Sequence, residues 1–512
     1  MNFTTSLATG VGNTFENVVI TPAPSLLQRK IAIFGAVAAS KISAGSVTAL
    51  SPVRVFSPEQ VGTIAGTGTQ AHRLAINAYA KSNGVETWLI PLAEGGSDVA
   101  ATGSLTVTVS TPKAGTIFLY VNNNLVSASI PSAGSVTSIA AAIAAAITAM
   151  TSLPVSATAA LGVVTITSKT KGTWGNDISL SFGLAGEKLP EGVTIAVVQP
   201  TGGSGAPVID TTVLETTLGT GDNKNEKWFT ALIHGNGKLT STLDAIADYV
   251  GRGDDAEGCY SPINGRFPRS LIGSTDNVLN DEITIADGRK TDRAEGMICA
   301  PNTLAHPQEV AALAMGLMEG KNAELATNGY FGEILPGVIP GASRWTDTYT
   351  TRDTAVKSGV GTTMVKSGAV VIQNAITFYR PDDIPVSNNG SRSMRNISVL
   401  QNISYYVRNI WESAPWKDVI IVKNATDVYD PVAKRKAKDI QAVKNQILAM
   451  GNTMVKAGWI YSIDSIVEQL KDQTSVTVLP GGKGFKCYIA VILSGEGGNN
   501  DTTTMFDINF GR

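Results

Sequence analysis

The sequence predicts a multidomain protein of mixed α/β and α+β class, with a small inserted domain and a separate C-terminal domain. First, 512 residues are too many for one compact core, so two to four domains are expected. Second, segments of strand and helix pattern alternate, which is typical of a parallel sheet covered by helices. Third, only Lys113 is charged between Thr102 and Ser168, whereas the flanking regions have ordinary charge density. That abrupt change predicts an insertion within the α/β domain.

The first predicted unit is an N-terminal arm over residues 1–28. Within it Phe15–Thr21 is rich in β-branched residues and predicts one short strand, which Pro22 and Pro24 close. A single strand cannot satisfy its own backbone hydrogen-bonding groups. We therefore expect this strand to pair with another segment.

A discontinuous central α/β domain is predicted over residues 29–100 and 208–365. Ser57-Pro58 supplies a helix N-cap followed by proline at the first helical position. Apolar runs predict the strands, and apolar residues at helical spacing predict the helices. The predicted strands are Ile31–Phe34, Val53–Phe56, Val85–Leu92, Trp228–Ile233 and Gly296–Ala300, and the predicted helices are Thr69–Lys81, Ser241–Val250 and Pro307–Lys321.

Residues 101–207 form the predicted insertion, a small β-rich α+β domain. Leu105–Ser110 alternates strictly between apolar and polar residues, and Thr116–Val121 and Val163–Thr167 predict two further strands. Ile139, Ile143 and Ile147 lie on one stripe of a predicted helix, Ser138–Met150. The Gly/Pro/Ser-rich run Gln199–Pro207 predicts a linker back to the central domain.

The C-terminal α+β domain is predicted over residues 366–500, followed by a strand-forming arm over residues 501–512. Asp430-Pro431 is a strong helix start. The predicted helices are Ser391–Trp411 and Pro431–Ala457, and the predicted strands are Val370–Tyr379, Val419–Lys423, Ser475–Leu479, Phe485–Leu493 and Thr503–Phe510. The last strand follows the Gly- and Asn-rich segment Ser494–Asn500, so a strand on a loose tether is expected at each end of the chain.

Composition disfavours several partners. A formal net charge of −2 gives no long-range field that would collect nucleic acid or an anionic membrane. Neither a signal sequence nor a membrane anchor is expected, because Met1–Gly12 is polar and the most apolar stretch, Ile139–Met150, is too short to span a bilayer. The chain has three cysteines, Cys259, Cys299 and Cys487, an odd number, and all lie in apolar stretches. This predicts buried, reduced thiols and assembly in a reducing cytoplasm.

Candidate catalytic and ligand-binding motifs each have a simpler structural explanation. Gly66–Gln70 lacks the third glycine of a dinucleotide loop, and Gly481–Lys486 lacks the Ser/Thr of a phosphate-binding loop and precedes a strand. No Gly-x-Ser-x-Gly motif occurs, and His72, His234 and His306 have no second ligand at metal-binding spacing. Arg252-Gly-Asp254 spells an adhesion tripeptide but is expected to form a turn. We therefore expect no catalytic residues, no metal and no cofactor.

In order and spacing, nine short segments resemble those of Mu-type phage tail sheath proteins. The likeness covers most of the chain. The segments are Ser51–Pro58, Gly66–Arg73, Ala75–Tyr79, Val85–Pro91, Ala114–Val121, Lys171–Asp177, Ala375–Tyr379, Tyr405–Arg408 and Ala457–Trp459.

The resemblance implies a structural subunit of a contractile tail sheath, which polymerises as a helical sleeve around a tail tube and contracts without nucleotide. It implies that both arms add strands to neighbouring subunits, and that the C-terminal domain lies innermost against the tube. Its implied partners are further copies of the chain, the tail tube protein, and baseplate and tail terminator proteins. Its implied location is the virion tail, assembled in the host bacterial cytoplasm. The residues expected to form the intersubunit strands are Phe15, Val18, Val19 and Ile20 at the N-terminus and Met505, Phe506, Ile508 and Phe510 at the C-terminus.

One basic run has two interpretations. Lys434, Arg435 and Lys438 open the helix predicted from Pro431, a position at which the helix dipole disfavours cations. The residues could face an acidic strip on the inner tube, as the resemblance implies. Alternatively, they form a solvated helix face.

Two other functional classes remain as alternatives. A surface-layer or adhesin-type structural protein is suggested by the Thr/Ser/Gly-rich insertion and by Arg252-Gly-Asp254. The helices outside the insertion and the absence of a signal sequence disfavour it. An α/β enzyme would need a constellation of polar catalytic residues, which the sequence does not show.

Overall fold

A computed structural model describes residues 3–5, 13–15, 26–252, 258–261, 264–380, 389–479, 484–495 and 503–510. For 3–5, 13–15 and 503–510 it describes the backbone.

The described elements are numbered in chain order. The strands are β1 Phe3–Thr5, β2 Asn13–Phe15, β3 Lys30–Val37, β4 Val53–Val55, β5 Glu86–Ala93, β6 Thr102–Val109, β7 Gly115–Val121, β8 Asn124–Ile130, β9 Val155–Ala160, β10 Val163–Ser168, β11 Leu180–Phe182, β12 Val193–Thr201, β13 Ala231–His234, β14 Arg269–Ser274, β15 Glu295–Cys299, β16 Gly361–Lys366, β17 Ala369–Asn374, β18 Ile420–Ile421, β19 Ala437–Lys438, β20 Val476–Val478, β21 Phe485–Ile492 and β22 Thr503–Phe510. The α-helices are α1 Ala39–Ser43, α2 Pro58–Ala65, α3 Gln70–Tyr79, α4 Val136–Ala149, α5 Thr211–Leu218, α6 Thr240–Val250, α7 Leu279–Asp287, α8 Pro307–Glu324, α9 Tyr349–Lys357, α10 Met394–Trp411, α11 Pro431–Lys436, α12 Ile440–Lys456 and α13 Asp464–Lys471.

The central domain is built on an eight-stranded sheet in the order β17-β16-β15-β14-β13-β3-β5-β4. The six inner strands run parallel, and β4 and β17 pair antiparallel at the two edges. Alternate residues of β3 enter two different cores: Ile31 and Ile33 pack with α3 and α8, and Ala32 and Phe34 pack with α5 and α6. Because helices cover both faces, side chains on both sides of β3 are buried.

The insertion lies between β5 and α5 and has its own core. Two antiparallel sheets, β12-β6-β10-β9 and β11-β7-β8, pack around α4. The predicted stripe of Ile139, Ile143 and Ile147 is buried in this core. Part of the predicted linker is instead ordered strand, because β12 continues to Thr201 and Ser204 forms a β-bridge with Val99.

The C-terminal domain packs α10, α12 and α13 against the sheet β20-β21-β22. Its boundary differs from the prediction. The proposed division between residues 365 and 366 falls inside the β16–β17 hairpin, and both strands of that hairpin belong to the central sheet. The central sheet therefore extends to Asn374.

The single helix predicted over Pro431–Ala457 is wrong. The structure has α11, then β19, which pairs in parallel with β18, and then α12. A second capping aspartate explains the break: Asp430 accepts the backbone N–H groups of Val432 and Ala433, and Asp439 accepts that of Ala442. Each aspartate caps a helix of its own, so the chain must leave the first helix before it starts the second.

The sequence analysis expected buried cysteines and no membrane-spanning segment. The three cysteine side chains are buried, and burial raises the pKa of the Cys259 thiol to about 12. Among the described residues, no helix combines the length and the apolar character that a bilayer-crossing segment requires.

Candidate assembly surfaces

The N-terminal arm contains a short hairpin in the described backbone. β1 pairs antiparallel with β2, and Phe15 lies opposite Phe3. Of the residues proposed for the intersubunit strand, Phe15 ends β2, whereas Val18, Val19 and Ile20 lie outside the described residues. The pairing of this arm with a neighbouring subunit stays a prediction.

The C-terminal strand β22 is present with the predicted bounds, and it pairs antiparallel with β21 of the same chain over eight residue pairs. In this register Phe506, Ile508 and Phe510 lie opposite Ile489, Cys487 and Phe485, and Met505 lies opposite Ala490. The side chains of Phe485, Cys487 and Ile489 are buried in the C-terminal core. β22 therefore completes a sheet whose inner face is the domain core.

The basic run lies at the end of a helix, not at the start of one as the sequence predicted, so the expected effect of the helix dipole is reversed. Lys434 and Arg435 lie in the last turn of α11, where the helix dipole favours cations. Both side chains are exposed. Lys438 lies in β19 and is half-buried, with Nζ 5.2 Å from the centroid of the Trp416 ring. The proposed patch is thus an exposed pair on a short helix together with a lysine that already packs on an aromatic ring.

The glycine-containing segment Gly66–Gln70 is a packed connection between two helices. His72 Nδ1 accepts the Gly68 N–H at 2.9 Å. The Gln70 N–H donates to the Thr170 hydroxyl of the insertion at 2.8 Å. Since these amides are already bonded within the protein, they are not available to cradle a phosphate.

The histidines have structural environments. His306 Nδ1 accepts the Gln308 N–H at the start of α8, so the ring proton lies on Nε2, which donates to the Trp174 carbonyl at 3.0 Å. Burial lowers the pKa of both His72 and His234 to about 4. In the part of the chain that the structure describes, no group of three or more His, Cys, Asp or Glu residues could hold a metal ion.

The arginine of the adhesion tripeptide is half-buried and paired with three aspartates. Arg252 forms ion pairs with Asp248 at 2.6 Å, Asp244 at 3.0 Å and the fully buried Asp292 at 3.1 Å. Asp254 lies outside the described residues. These contacts remove Arg252 from the surface role that an adhesin would need.

Two arginines form buried ion pairs within the central domain and also donate to a neighbouring domain, and the sequence reasoning did not find these contacts. Arg73 binds Glu309 at 2.6 Å and also donates to the Ser152 carbonyl of the insertion at 3.3 Å. Arg269 binds Glu319 at 2.7 Å and also donates to the Met394 carbonyl at the start of α10. The partners are 236 and 50 residues apart. Sequence spacing therefore carries no signal for either pair.

Comparison with known proteins identifies a relative. Over 399 residues the chain is 25% identical to the Mu-like prophage FluMu tail sheath protein of Haemophilus influenzae, and the match covers 77% of each protein. The resemblance to Mu-type tail sheath proteins is confirmed. The match gives no support to the surface-layer or adhesin alternative, and a structural relative is consistent with the expectation that the chain is not an enzyme.

The remaining comparisons are weaker. No family model matches the sequence. The sheath tail protein of Desulfitobacterium hafniense has a TM-score of 0.47 at 12% identity, with 97% of this chain and 100% of that chain covered. The sheath tail protein of Listeria innocua has a TM-score of 0.46 at 12% identity, with 95% and 96% covered. TM-scores below 0.5 mark only a loose likeness, so the resemblance to tail sheath proteins depends on the sequence match.

Proposed function

We propose that the chain is the structural subunit of a contractile tail sheath, which polymerises as a helical sleeve around a tail tube and contracts to drive the tube through a host envelope. The observation that carries the proposal is the similarity to a tail sheath protein over 77% of the chain. Its partners would be further copies of itself, the tube protein, and baseplate and terminator proteins. It would assemble in the host bacterial cytoplasm and function in the virion tail.

Strand exchange through β22 is the proposed link between subunits. The β21–β22 ladder comprises eight residue pairs. With roughly eight backbone hydrogen bonds of about 0.5–1.5 kcal/mol each, it contributes on the order of 4–12 kcal/mol. The same ladder can form with β21 of a neighbouring copy, so exchange replaces one set of bonds by an equal set.

The segment between β21 and β22 limits how far this exchange can reach. Ten residues, 493–502, separate β21 from β22. Ten extended residues span at most about 33–36 Å, which sets the reach from one subunit to the next. A linkage of this kind stays paired while the rigid domains rotate relative to one another, and contraction becomes a switch between two packings of the same subunits.

The basic pair Lys434 and Arg435 is proposed to face an acidic strip on the tube, with Lys438 at its margin. Both members of the pair are exposed, and they lie beside Tyr429 and Val432, which are also exposed. An exposed aromatic and aliphatic surface edged by cations has the composition of a protein interface. Contacts of this kind can break and re-form during contraction.

Negative-stain microscopy and sedimentation of the purified protein test the assembly proposal. The full chain is expected to form hollow tubes of fixed diameter without added ligand. Deletion of residues 503–512 is expected to leave a folded monomer that forms no tubes, because β22 lies at the edge of its sheet. Deletion of 511–512 alone keeps β22 and serves as the matched control. Tubes formed by the longer deletion would contradict strand exchange through β22.

Charge reversal tests the tube contact. The double change Lys434→Glu and Arg435→Glu is expected to lower sheath occupancy on tubes while leaving the protein folded. Lys456→Glu is the control, since Lys456 is also an exposed lysine in the last turn of a helix, α12. Normal occupancy with the double variant would show that these side chains are not required.

A further inference from the structure

Helix α10 carries a set of buried polar side chains, Arg395, Ser398, Gln401 and Asn402, which we call the polar stripe. None of the four residues exposes more than 3% of its surface. Arg395, Ser398 and Asn402 follow one another at spacings of three and four residues, which places them on one face of the helix. Buried polar groups need hydrogen-bond partners to offset the cost of their desolvation. The partners of the polar stripe therefore indicate what it is for.

The polar stripe binds the root of the N-terminal arm, residues 27–29. Asn402 Oδ1 accepts the Leu27 N–H at 3.1 Å. The Arg29 guanidinium donates to the Ser398 hydroxyl at 2.6 Å and to the side-chain carbonyl of Gln401. The root precedes β3 in the chain. A pull on the N-terminal arm therefore reaches these bonds before it reaches the central sheet.

The same stripe binds the root of the C-terminal arm, Ser494, where the segment that leads to that arm begins. Arg395 donates to the Ser494 hydroxyl at 3.1 Å and to the Ser494 carbonyl. The Ser494 N–H donates to the Trp459 carbonyl at 3.0 Å. Both roots are thus held on one helix, by Asn402 and Arg395, which lie seven residues and about 10 Å apart along the helix axis.

Helix α10 is itself fixed at both ends. Met394 and Ile397 pack in the core of the central domain, whereas Ile403 packs in the core of the C-terminal domain. Gln401 Nε2 donates to the Thr230 carbonyl, next to β13, at 2.9 Å. A helix held by two cores moves little when its polar stripe is pulled, so it can pass a force from one root to the other.

We propose that α10 is the mechanical link between the two arms, so that tension on one arm reaches the other through the polar stripe. The alternative path runs from Arg29 into β3 and through the central sheet, and it would bypass Arg395. In an assembled sheath, which rests on the proposed function, the link passes tension from one neighbouring copy to the next while the arms stay paired.

Single-molecule force spectroscopy of the full chain tests the link. Handles are attached at Leu26→Cys and Gly495→Cys, two exposed positions that border the roots, and the native cysteines are buried and should not react. Arg395→Met is expected to lower the force of the first rupture, because it removes the bonds to Ser494. Asn402→Ala is a smaller change at the other root and should lower that force as well. If Arg395→Met does not fold, Asn402→Ala alone decides.

Arg73→Met is the matched control. Arg73 is also a buried arginine, and its ion pair with Glu309 involves neither root. Its replacement should lower stability in urea and leave the force of the first rupture unchanged, which separates a mechanical role from a structural one. An equal loss of rupture force in Arg73→Met and in the root variants would overturn the proposal, as would an unchanged force in a folded root variant.

Assembled tubes give a second readout. Tubes of Asn402→Ala should break at a lower shear rate than tubes of Arg73→Met, because the arms stay paired while the link within each copy is weakened. Equal resistance to shear would overturn the role of α10 in the assembly. If the unaltered chain forms no tubes, the sheath proposal fails, and the force measurements still decide whether α10 links the arms.

Discussion

Replacement of Arg269 by methionine should strongly destabilise the central domain. Arg269 begins β14, and neither it nor Glu319 on α8 exposes any side-chain surface. Its guanidinium donates to Glu319 Oε1 at 2.7 and 3.1 Å, to the Tyr330 hydroxyl at 2.9 Å and to the Met394 carbonyl at 2.6 Å. One side chain thus ties the sheet, α8 and α10 together.

The expected magnitude follows from the buried charge left behind. Removal of one partner of a buried ion pair costs about 3–5 kcal/mol, because the other charge remains without compensation. Glu319 keeps the Thr230 hydroxyl as a donor at 2.7 Å, and the nearby Arg29 attracts it, which places the expected cost at the lower end of that range. In the double variant Arg269→Met, Glu319→Gln, the buried charge is gone and the acceptor for Thr230 is retained. That variant should regain about 1–3 kcal/mol.

Equilibrium urea unfolding measures these differences in the free energy of unfolding. Because a multidomain chain does not unfold in one step, hydrogen exchange at β14 and α8 is measured as well, to report on the central domain alone. Arg54→Met is the matched control: Arg54 lies on the edge strand β4 of the same sheet, and its side chain is 49% exposed in its pair with Glu86. That exposed pair should be worth less than about 1 kcal/mol. A cost below about 1 kcal/mol for Arg269→Met, or a double variant no more stable than the single one, would refute the reasoning.

Two further predictions concern the histidines. Stability should fall as the pH drops from 6.5 towards 4, because burial lowers the pKa of His72 and His234 to about 4 while the unfolded chain takes up these protons near 6.5. Thermal melts across this range should show a shallower pH dependence for His234→Asn than for the unaltered chain, and equal slopes would contradict the assignment. His306→Ala should loosen the insertion, because it removes a helix cap worth about 0.5–2 kcal/mol and a ring stack worth about 0.5–1.5 kcal/mol. Faster hydrogen exchange at 173–177 would confirm this role, and unchanged exchange would refute it.

Local sequence patterns predicted the elements whose signal lies within a few residues. The stripe of Ile139, Ile143 and Ile147 marked α4, and Ser57-Pro58 marked the start of α2. Thr503–Phe510 was predicted with the bounds that the structure has. By contrast, the break between α11 and α12 was missed because helical periodicity continues past Asp439, whose capping bond overrides it.

The candidate surfaces were only partly predictable. The sequence located Lys434, Arg435 and Lys438 but placed all three at the start of a helix. In the structure Lys434 and Arg435 lie in the last turn of α11, and Lys438 lies in β19. The contact between the insertion and α8 was not predicted at all, because Trp174 and His306 lie 132 residues apart and only the fold brings them together.

The sequence by itself determined the α/β class, the insertion and the resemblance to tail sheath proteins. The periodicity of apolar residues, the charge density and the order of motifs can each be read from residues that are close together in sequence. Only the tertiary structure decided the partners of the buried charges and the extent of the central sheet. These features depend on contacts between residues far apart in sequence, such as Arg73 with Glu309. An ion pair of this kind forms only after folding has placed both charges in the same buried region, so no local sequence pattern predicts it.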